Sequence, residues 1–130
     1  MALKASMRIL LVDSAATNRQ SLKKVFTSLG FKNVAEAIDG EQALKKLEEA
    51  DPAIELIVAD WDLPKVSGLE LLQKVRSTEK FKKTKFLMIT GEAAQQNVII
   101  AAKSGVNNVL VRPFSANAVT EKLANIYNQK

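Results

Sequence analysis

A chain of 130 residues with a net charge of +5, 47% hydrophobic residues, and neither cysteine nor histidine has the length and core material of one compact domain. Without cysteine it has no disulfide, thiolate metal site or thiol nucleophile, and without histidine it lacks the commonest general base and transition-metal ligand. What remains is hard-oxygen chemistry, in which carboxylates work with a cation such as Mg²⁺.

Arg8-Ile9-Leu10-Leu11-Val12 is apolar on both sides of the pleat, as a buried parallel strand should be, and ends at Asp13. Leu22, Val25, Phe26 and Leu29 follow at helical spacing, with Gly30 where a helix stops. A weaker strand, Asn33 to Ala37, leads through Asp39-Gly40 into a second helix carrying Ala43, Leu44 and Leu47. Asp51-Pro52 breaks the chain before a third strand, Ile54 to Ala59, which stops at Asp60. Ser67 is placed to cap a third helix whose predicted buried stripe is Leu69, Leu72 and Val75. The one local basic cluster, Lys80-Phe81-Lys82-Lys83-Thr84-Lys85, reads as a solvated loop entering a fourth strand, Phe86 to Ile89, that ends at Thr90. Val98, Ala101 and Ala102 mark a fourth helix closed by Gly105. Val109 to Val111 is a fifth strand ending at Arg112-Pro113, and Val119, Leu123 and Ile126 line a last helix.

Five successive β-then-α units predict an α/β fold, a doubly wound five-stranded parallel sheet flanked by five helices. With no linker, repeat or low-complexity segment, residues 1–130 are expected to form a single domain, residues 1–6 being a loose N-terminal extension. No apolar run approaches the roughly 20 residues of a membrane helix, and the first six residues are too short and too weakly apolar for a signal peptide. The expected location is cytoplasmic, without membrane insertion. Scattered basic residues and an aromatic content of 5% make nucleic acid an improbable partner.

Ligands of such sheets bind beyond the carboxyl ends of the strands. The strand-end residues are Asp13, Asp60, Thr90 and Arg112: two acids, a hydroxyl and a cation. Carboxylates hold Mg²⁺ together with water and phosphate oxygens, while a hydroxyl and a cation grip the other oxygens of a phosphoryl group. Asp60 is the candidate nucleophile, because an aspartyl carboxylate accepts phosphate covalently. Singly, each is better read as a turn residue or a solvated charge. Four at one sheet edge make a site.

Leu11-Val12-Asp13, Ala59-Asp60-Trp61-Asp62-Leu63-Pro64 followed by Gly68-Leu69-Glu70-Leu71-Leu72, Thr90-Gly91-Glu92-Ala93, and Val111-Arg112-Pro113-Phe114 occur in that order. The ordered set resembles the receiver domain of two-component response regulators, most closely its single-domain, CheY-like chemotaxis members, over essentially the whole chain. The resemblance implies a flavodoxin-like topology. It also implies a phosphoacceptor at Asp60, loaded by a histidine kinase in a Mg²⁺-dependent reaction. By the same match Asp13, Asp60 and Asp62 (through backbone or side chain) surround the metal, with Ser14 an atypical ligand acting through water. Thr90 and Arg112 contact the phosphoryl group, and the peptide before Pro113 is cis. The implied output surface, with Glu92, Val109 and Lys122, spans Gln95 to Lys103, Asn107 to Val111 and Ser115 to Asn128. With no output domain attached, the signal is expected to pass to a separate protein, for which a flagellar-motor switch is the obvious candidate.

Three positions depart from the family's pattern. Ser14 stands where a second consecutive acid binds Mg²⁺ directly, which leaves the site one charge short and Mg²⁺ weakly held. Asp62, beside the metal, partly restores that charge. Arg112 replaces a lysine, and Val109 replaces a frequent aromatic. These departures define an alternative, a phosphorylation-independent pseudo-receiver that binds its partner without metal. A remoter alternative takes Asp60-Trp61-Asp62 as the Asp-x-Asp pair of a small Asp-based phosphatase, although that enzyme class has the pair after its first strand and needs a cap. Under the receiver reading the chain is no conventional enzyme and catalyses at most its own phosphotransfer and dephosphorylation.

Overall fold

In the computed structural model, which describes residues 5–91 and 95–127, strands and helices alternate without exception. They are β1 (Arg8–Val12), α1 (Ala16–Ser28), β2 (Asn33–Ala37), α2 (Gly40–Glu49), β3 (Leu56–Asp60), α3 (Gly68–Ser77), β4 (Lys85–Thr90), α4 (Gln95–Lys103), β5 (Asn108–Val111) and α5 (Ala116–Tyr127). All five strands pair in parallel, in the order β2-β1-β3-β4-β5. This is the doubly wound sheet that the alternation predicts. The chain leaves β1 for β2 on one side and returns to β3 on the other, so β1 and β3 flank the switch point where such sheets open a crevice.

The period of two in each strand sorts the core into two layers. Ile9, Leu11, Leu56, Val58, Leu87 and Ile89 face Leu22 and Phe26 of α1 and Val119, Leu123 and Ile126 of α5. Leu10, Val12, Ile57, Ala59, Phe86 and Met88 face Ala43 and Leu47 of α2 and Leu71, Leu72 and Val75 of α3. The central strand β3 is buried at every residue, whereas β2 and β5 at the edges are only partly buried. That difference explains why β2 reads weakly in the sequence. Phe26 is fully buried, and truncating such a side chain to alanine costs about 3–5 kcal/mol.

The helix signals hold at most ends. Gly30 and Gly105 adopt φ of +99° and +92°, the left-handed region that stops a helix. Ser67 accepts from the Glu70 backbone N–H while the Glu70 carboxylate accepts from the Ser67 N–H, a complete capping box for α3. Ala5 and Ser6 are tied to the chain ahead of β2, their carbonyls accepting from the Lys32 N–H and the Asn33 side chain.

Three local expectations are corrected. β3 begins at Leu56 and includes Asp60; Ile54 is buried beneath the sheet but lies outside the ladder, because an apolar run reports burial and not pairing. The buried stripe of α3 is Gly68, Leu71, Leu72 and Val75, with Leu69 only half-buried. α4 forms where its marker residues predict it, with Ala101 buried and Val98 and Ala102 exposed. In the basic segment Lys80, Lys82 and Lys83 are exposed as expected, while Phe81 turns inward.

Candidate functional site

The alternation that builds the core also decides which strand-end residues meet. Asp60 continues the parity of Leu56 and Val58, Asp13 that of Ile9 and Leu11, and Arg112 that of Leu110, so all three belong to the α1/α5 side of the sheet. Thr90 shares parity with Phe86 and Met88 and belongs to the other side. The contacts follow this division. Arg112 Nη1 donates to Asp60 Oδ1 at 3.2 Å and Nη2 donates to Asp13 Oδ2 at 3.0 Å, so one guanidinium joins both acids. The Thr90 hydroxyl instead accepts from the Asn97 side chain of α4 at 3.4 Å.

Both acids are fixed by the same local device. The Asp13 Oδ1 accepts from the Ala15 N–H at 2.8 Å, and Asp60 Oδ1 accepts from the Asp62 N–H at 3.2 Å. Each is a carboxylate bonded to the backbone two residues on, the turn that Asp favours after a strand. The turn residue and the candidate site residue are here one and the same. Asp13 is 1% exposed and Asp60 7%. Two carboxylates so far from water need a counter-charge, and charge-assisted bonds to the Arg112 fork supply it. One acceptor stays open: Asp60 Oδ2 accepts no hydrogen bond from the described residues.

The loop after Asp60 is held against the site by a close approach. A Cβ on Gly68 would sit 2.3 Å from the Asp60 carbonyl oxygen and 2.8 Å from Trp61 Cα, and the Gly68 N–H donates to the Trp61 carbonyl at 2.9 Å. Only glycine lets α3 begin there. Lys65 in the same loop takes φ +67°, and its ammonium lies 3.9 Å from Asp39, the residue that caps α2.

Ser14 and Asp62 both stand at the mouth with exposed side chains. Asp62 reaches Asp60 through its backbone N–H, and no three acidic side chains among the described residues converge on one ion position. The buried donor set is therefore Asp13 and Asp60. Two carboxylates with an open acceptor at a solvent-reachable edge fit Mg²⁺, which takes one or two carboxylates and keeps several waters. Val109 is half-buried against the α2/α3 layer and Lys122 is half-buried on α5; Glu92 lies outside the described residues. The Arg112-Pro113 peptide is cis, as is Asp51-Pro52.

Two participants escape sequence reasoning. Asn97 meets Thr90 only through the packing of α4. Arg19 donates from Nη1 to the Asp13 carbonyl at 2.7 Å and from Nε to Glu36 at 3.2 Å, tying the end of β1 to α1 and β2. Its position one turn into the helix after Asp13 was the available signal.

The pattern of the response regulator receiver domain matches residues 9–124. The chain is 40% identical to chemotaxis protein CheY-3 of Vibrio cholerae over 98% of its own length and 96% of that protein. It is also 40% identical to chemotaxis protein CheY of Pseudomonas aeruginosa, over 95% and 98% respectively. Among solved structures, chemotaxis response regulator CheY4 of Vibrio cholerae superposes with a TM-score of 0.83 at 27% identity, covering 93% of this chain and 98% of that one. A chain of the CheX-CheY-BeF3-Mg²⁺ complex from Borrelia burgdorferi gives a TM-score of 0.86 at 25% identity, covering 95% and 90%. With its sheet order, its strand-end acids and this likeness along nearly its whole length, the chain belongs to the response regulator receiver family, whose members are signalling proteins.

Proposed function

We propose that this receiver is a chemotaxis-type response regulator that accepts a phosphoryl group on Asp60 from the phosphohistidine of a partner kinase. The observation that carries the reading is the state of the Asp60 carboxylate. Oδ1 is held by the Arg112 guanidinium and the Asp62 N–H, while Oδ2, which accepts no hydrogen bond from the described residues, is the oxygen open to attack. In the transfer, Oδ2 forms a bond to phosphorus as the bond from phosphorus to the kinase's imidazole nitrogen breaks, and the imidazole leaves with that electron pair. Arg112 orients the nucleophile and stabilises charge on the transferred oxygens. Thr90, whose oxygen accepts from Asn97, keeps its own O–H to donate to one of those oxygens. When bound, Mg²⁺ supplies charge neutralisation to the phosphoryl oxygens. Its ligands would be Asp13, Asp60 and Asp62 (backbone or side chain), with Ser14 through water.

Output goes by protein contact. Val98, Ile99 and Ile100 of α4 and Val111 of β5 are exposed, and clustered apolar surface of this kind marks a partner site. A flagellar-motor switch is the partner that the likeness to chemotaxis proteins favours, in the cytoplasm; no helix of the described residues is long and apolar enough to cross a membrane. The same likeness favours this reading over a phosphorylation-independent module or a phosphatase, and leaves the protein's own catalysis at phosphotransfer and dephosphorylation.

Incubation with acetyl phosphate and Mg²⁺, read by intact mass, should add one phosphoryl group to the wild type and none to Asp60→Asn. A group retained on the variant would move the acceptor elsewhere, to Asp62 first.

A further inference from the structure

The basic segment between α3 and β4 is built into the fold and does not hang as a loop. The Phe81 N–H donates to the Thr78 carbonyl and the Thr84 N–H to the Phe81 carbonyl, both at 3.1 Å, and the Phe81 ring is buried. From α3, Arg76 donates to the carbonyls of Lys82 at 2.9 Å and Thr84 at 2.6 Å. These bonds fix the backbone from which Lys80, Lys82, Lys83 and Lys85 line a cavity of about 630 Å³. Its apolar wall is Ile54, Phe81 and Tyr127.

Two glutamates share this cavity and do not neutralise it. Glu79 is taken by Lys82 at 2.8 Å, and the Glu55 carboxylate accepts from the Arg8 N–H at 3.4 Å. Lys80 turns to Glu48, meeting both its carbonyl and its carboxylate. Lys83 and Lys85 pair with no acid among the described residues. Burial and the neighbouring Glu55 push the Tyr127 phenol up to about 12, so the ring brings no negative charge. A second depression, of about 440 Å³, shares Ile54 with the first and adds Arg8, Lys32 and Lys46 against one acid, Glu49. Arg8 Nε is, among the described residues, the one buried side-chain polar atom without a hydrogen-bond partner. A buried donor left open is unfavourable until an acceptor arrives.

We propose that this face, at the amino ends of the strands, is a docking site for an acidic peptide segment of a partner protein. An apolar side chain of the segment seats against Ile54, Phe81 and Tyr127, and its carboxylates meet Lys83 and Lys85. β4 separates this face from the Asp60 edge by roughly 17 Å at the usual rise per residue, about two Debye lengths at physiological salt. The basic and acidic ends of the sheet therefore act independently, and a partner here leaves Asp60 uncovered.

The chemistry of the rim favours a protein over a nucleic acid. The cations around the first cavity are lysines, point charges without the fork that grips phosphate at two oxygens. Phe81 is buried and Tyr127 half-buried, its hydroxyl donating to Met7 Sδ at 3.1 Å, so neither ring stands free to stack a base. A compact cavity with an apolar wall and a few charges suits one anchoring side chain.

The test is fluorescence anisotropy of a labelled Glu-Glu-Phe-Glu-Glu peptide titrated with the full chain at low and at physiological salt. Saturable binding that weakens with salt is expected. Lys83→Ala/Lys85→Ala should bind roughly 3–10-fold more weakly, as for the loss of two exposed ion pairs. A peptide with alanine in place of phenylalanine should also bind more weakly. Lys24→Ala/Lys45→Ala removes the same charge from exposed positions on α1 and α2 and should bind as wild type does. Equal losses in the two double variants would overturn the proposal, because net charge alone would then explain the binding. So would an absence of peptide binding, or tighter binding of a single-stranded oligonucleotide of equal charge. Backbone amide shifts on peptide addition should fall on Phe81 to Lys85 and on Tyr127; shifts confined to α4 and β5 would put the peptide on the opposite face and overturn it too.

Discussion

On the β1–β3 side of the crevice, Asp13 and Asp60 are buried, and each is held by two donors between 2.8 and 3.2 Å. On the β4 side the Thr90 hydroxyl has, among the described residues, a single bond of 3.4 Å, from Asn97. The helix that supplies Asn97 buries Ala101 but leaves Val98, Ile99 and Ile100 exposed. Displacing the first side breaks charge-assisted bonds in a low-dielectric place; displacing the second breaks one long neutral bond and sacrifices little packing. A phosphoryl group that perturbs both sides equally therefore moves the second. On the proposed reading, the chemistry sits where the fold is stiff, and the signal leaves where it is loosely fastened.

The comparison breaks most visibly at Arg112. Removing its guanidinium leaves two buried carboxylates without a counter-charge, and such losses cost about 3–5 kcal/mol; partial exposure of Arg112 places the expectation at the lower end. Urea denaturation of Arg112→Ala without metal should show a midpoint well below wild type, recovered in part by Mg²⁺. A midpoint equal to wild type would mean that the acids are not coupled through Arg112.

Next in size is Gly68→Ala, whose methyl group meets backbone atoms of Asp60 and Trp61. Overpacking of this kind costs about 1–3 kcal/mol. Because the neighbours are backbone, the stiff side must shift, so the rate of acetyl phosphate labelling should fall along with stability. Unchanged labelling would show that the β3–α3 loop is not part of the rigid corner.

Ser14→Asp sharpens the same corner from its mouth. A third carboxylate beside Asp13 and Asp60 should tighten Mg²⁺ binding by about 1–3 kcal/mol, the equivalent of roughly 10–100-fold, and lower stability without metal through repulsion between like charges. A Mg²⁺ titration read by the fluorescence of Trp61, the only tryptophan and the neighbour of Asp60, and a metal-free melt check the two halves. If wild type already binds as tightly as the variant, Asp62 or water has replaced the missing ligand.

The smallest expected effect is on the other side. Asn97→Ala removes one long bond and should change stability by less than about 1 kcal/mol. It should nonetheless strengthen binding of a beryllofluoride phosphoryl mimic, because the Thr90 side chain is then no longer held toward α4. A large loss of stability would show that α4 is fastened by this contact after all.

Much of this was legible in the sequence, for physical reasons. Four apolar runs, each ending in a polar residue, dictate the body of the sheet and bring Asp13, Asp60, Thr90 and Arg112 to one edge. The parity of each strand end even separates Thr90 from the other three. The Arg112 fork across two strands is not legible, because spacing in sequence carries no information on which acid a long cation reaches. The run Val98-Ile99-Ile100-Ala101-Ala102 has no helical period to break, so the inward face of α4 was decided by tertiary packing and not by pattern. Asn97 was invisible for the same reason: its role depends on how that helix is rotated.

The most direct test of the stiff and loose sides is to follow backbone amide chemical shifts by NMR as beryllofluoride and Mg²⁺ are added to the wild type. The account predicts changes at Asp60 and Arg112 accompanied by changes at Thr90, Asn97 and along α4 and β5, with β2 and the amino ends of the strands unmoved. Shifts confined to Asp13, Asp60 and Arg112, with α4 unaltered, would contradict it.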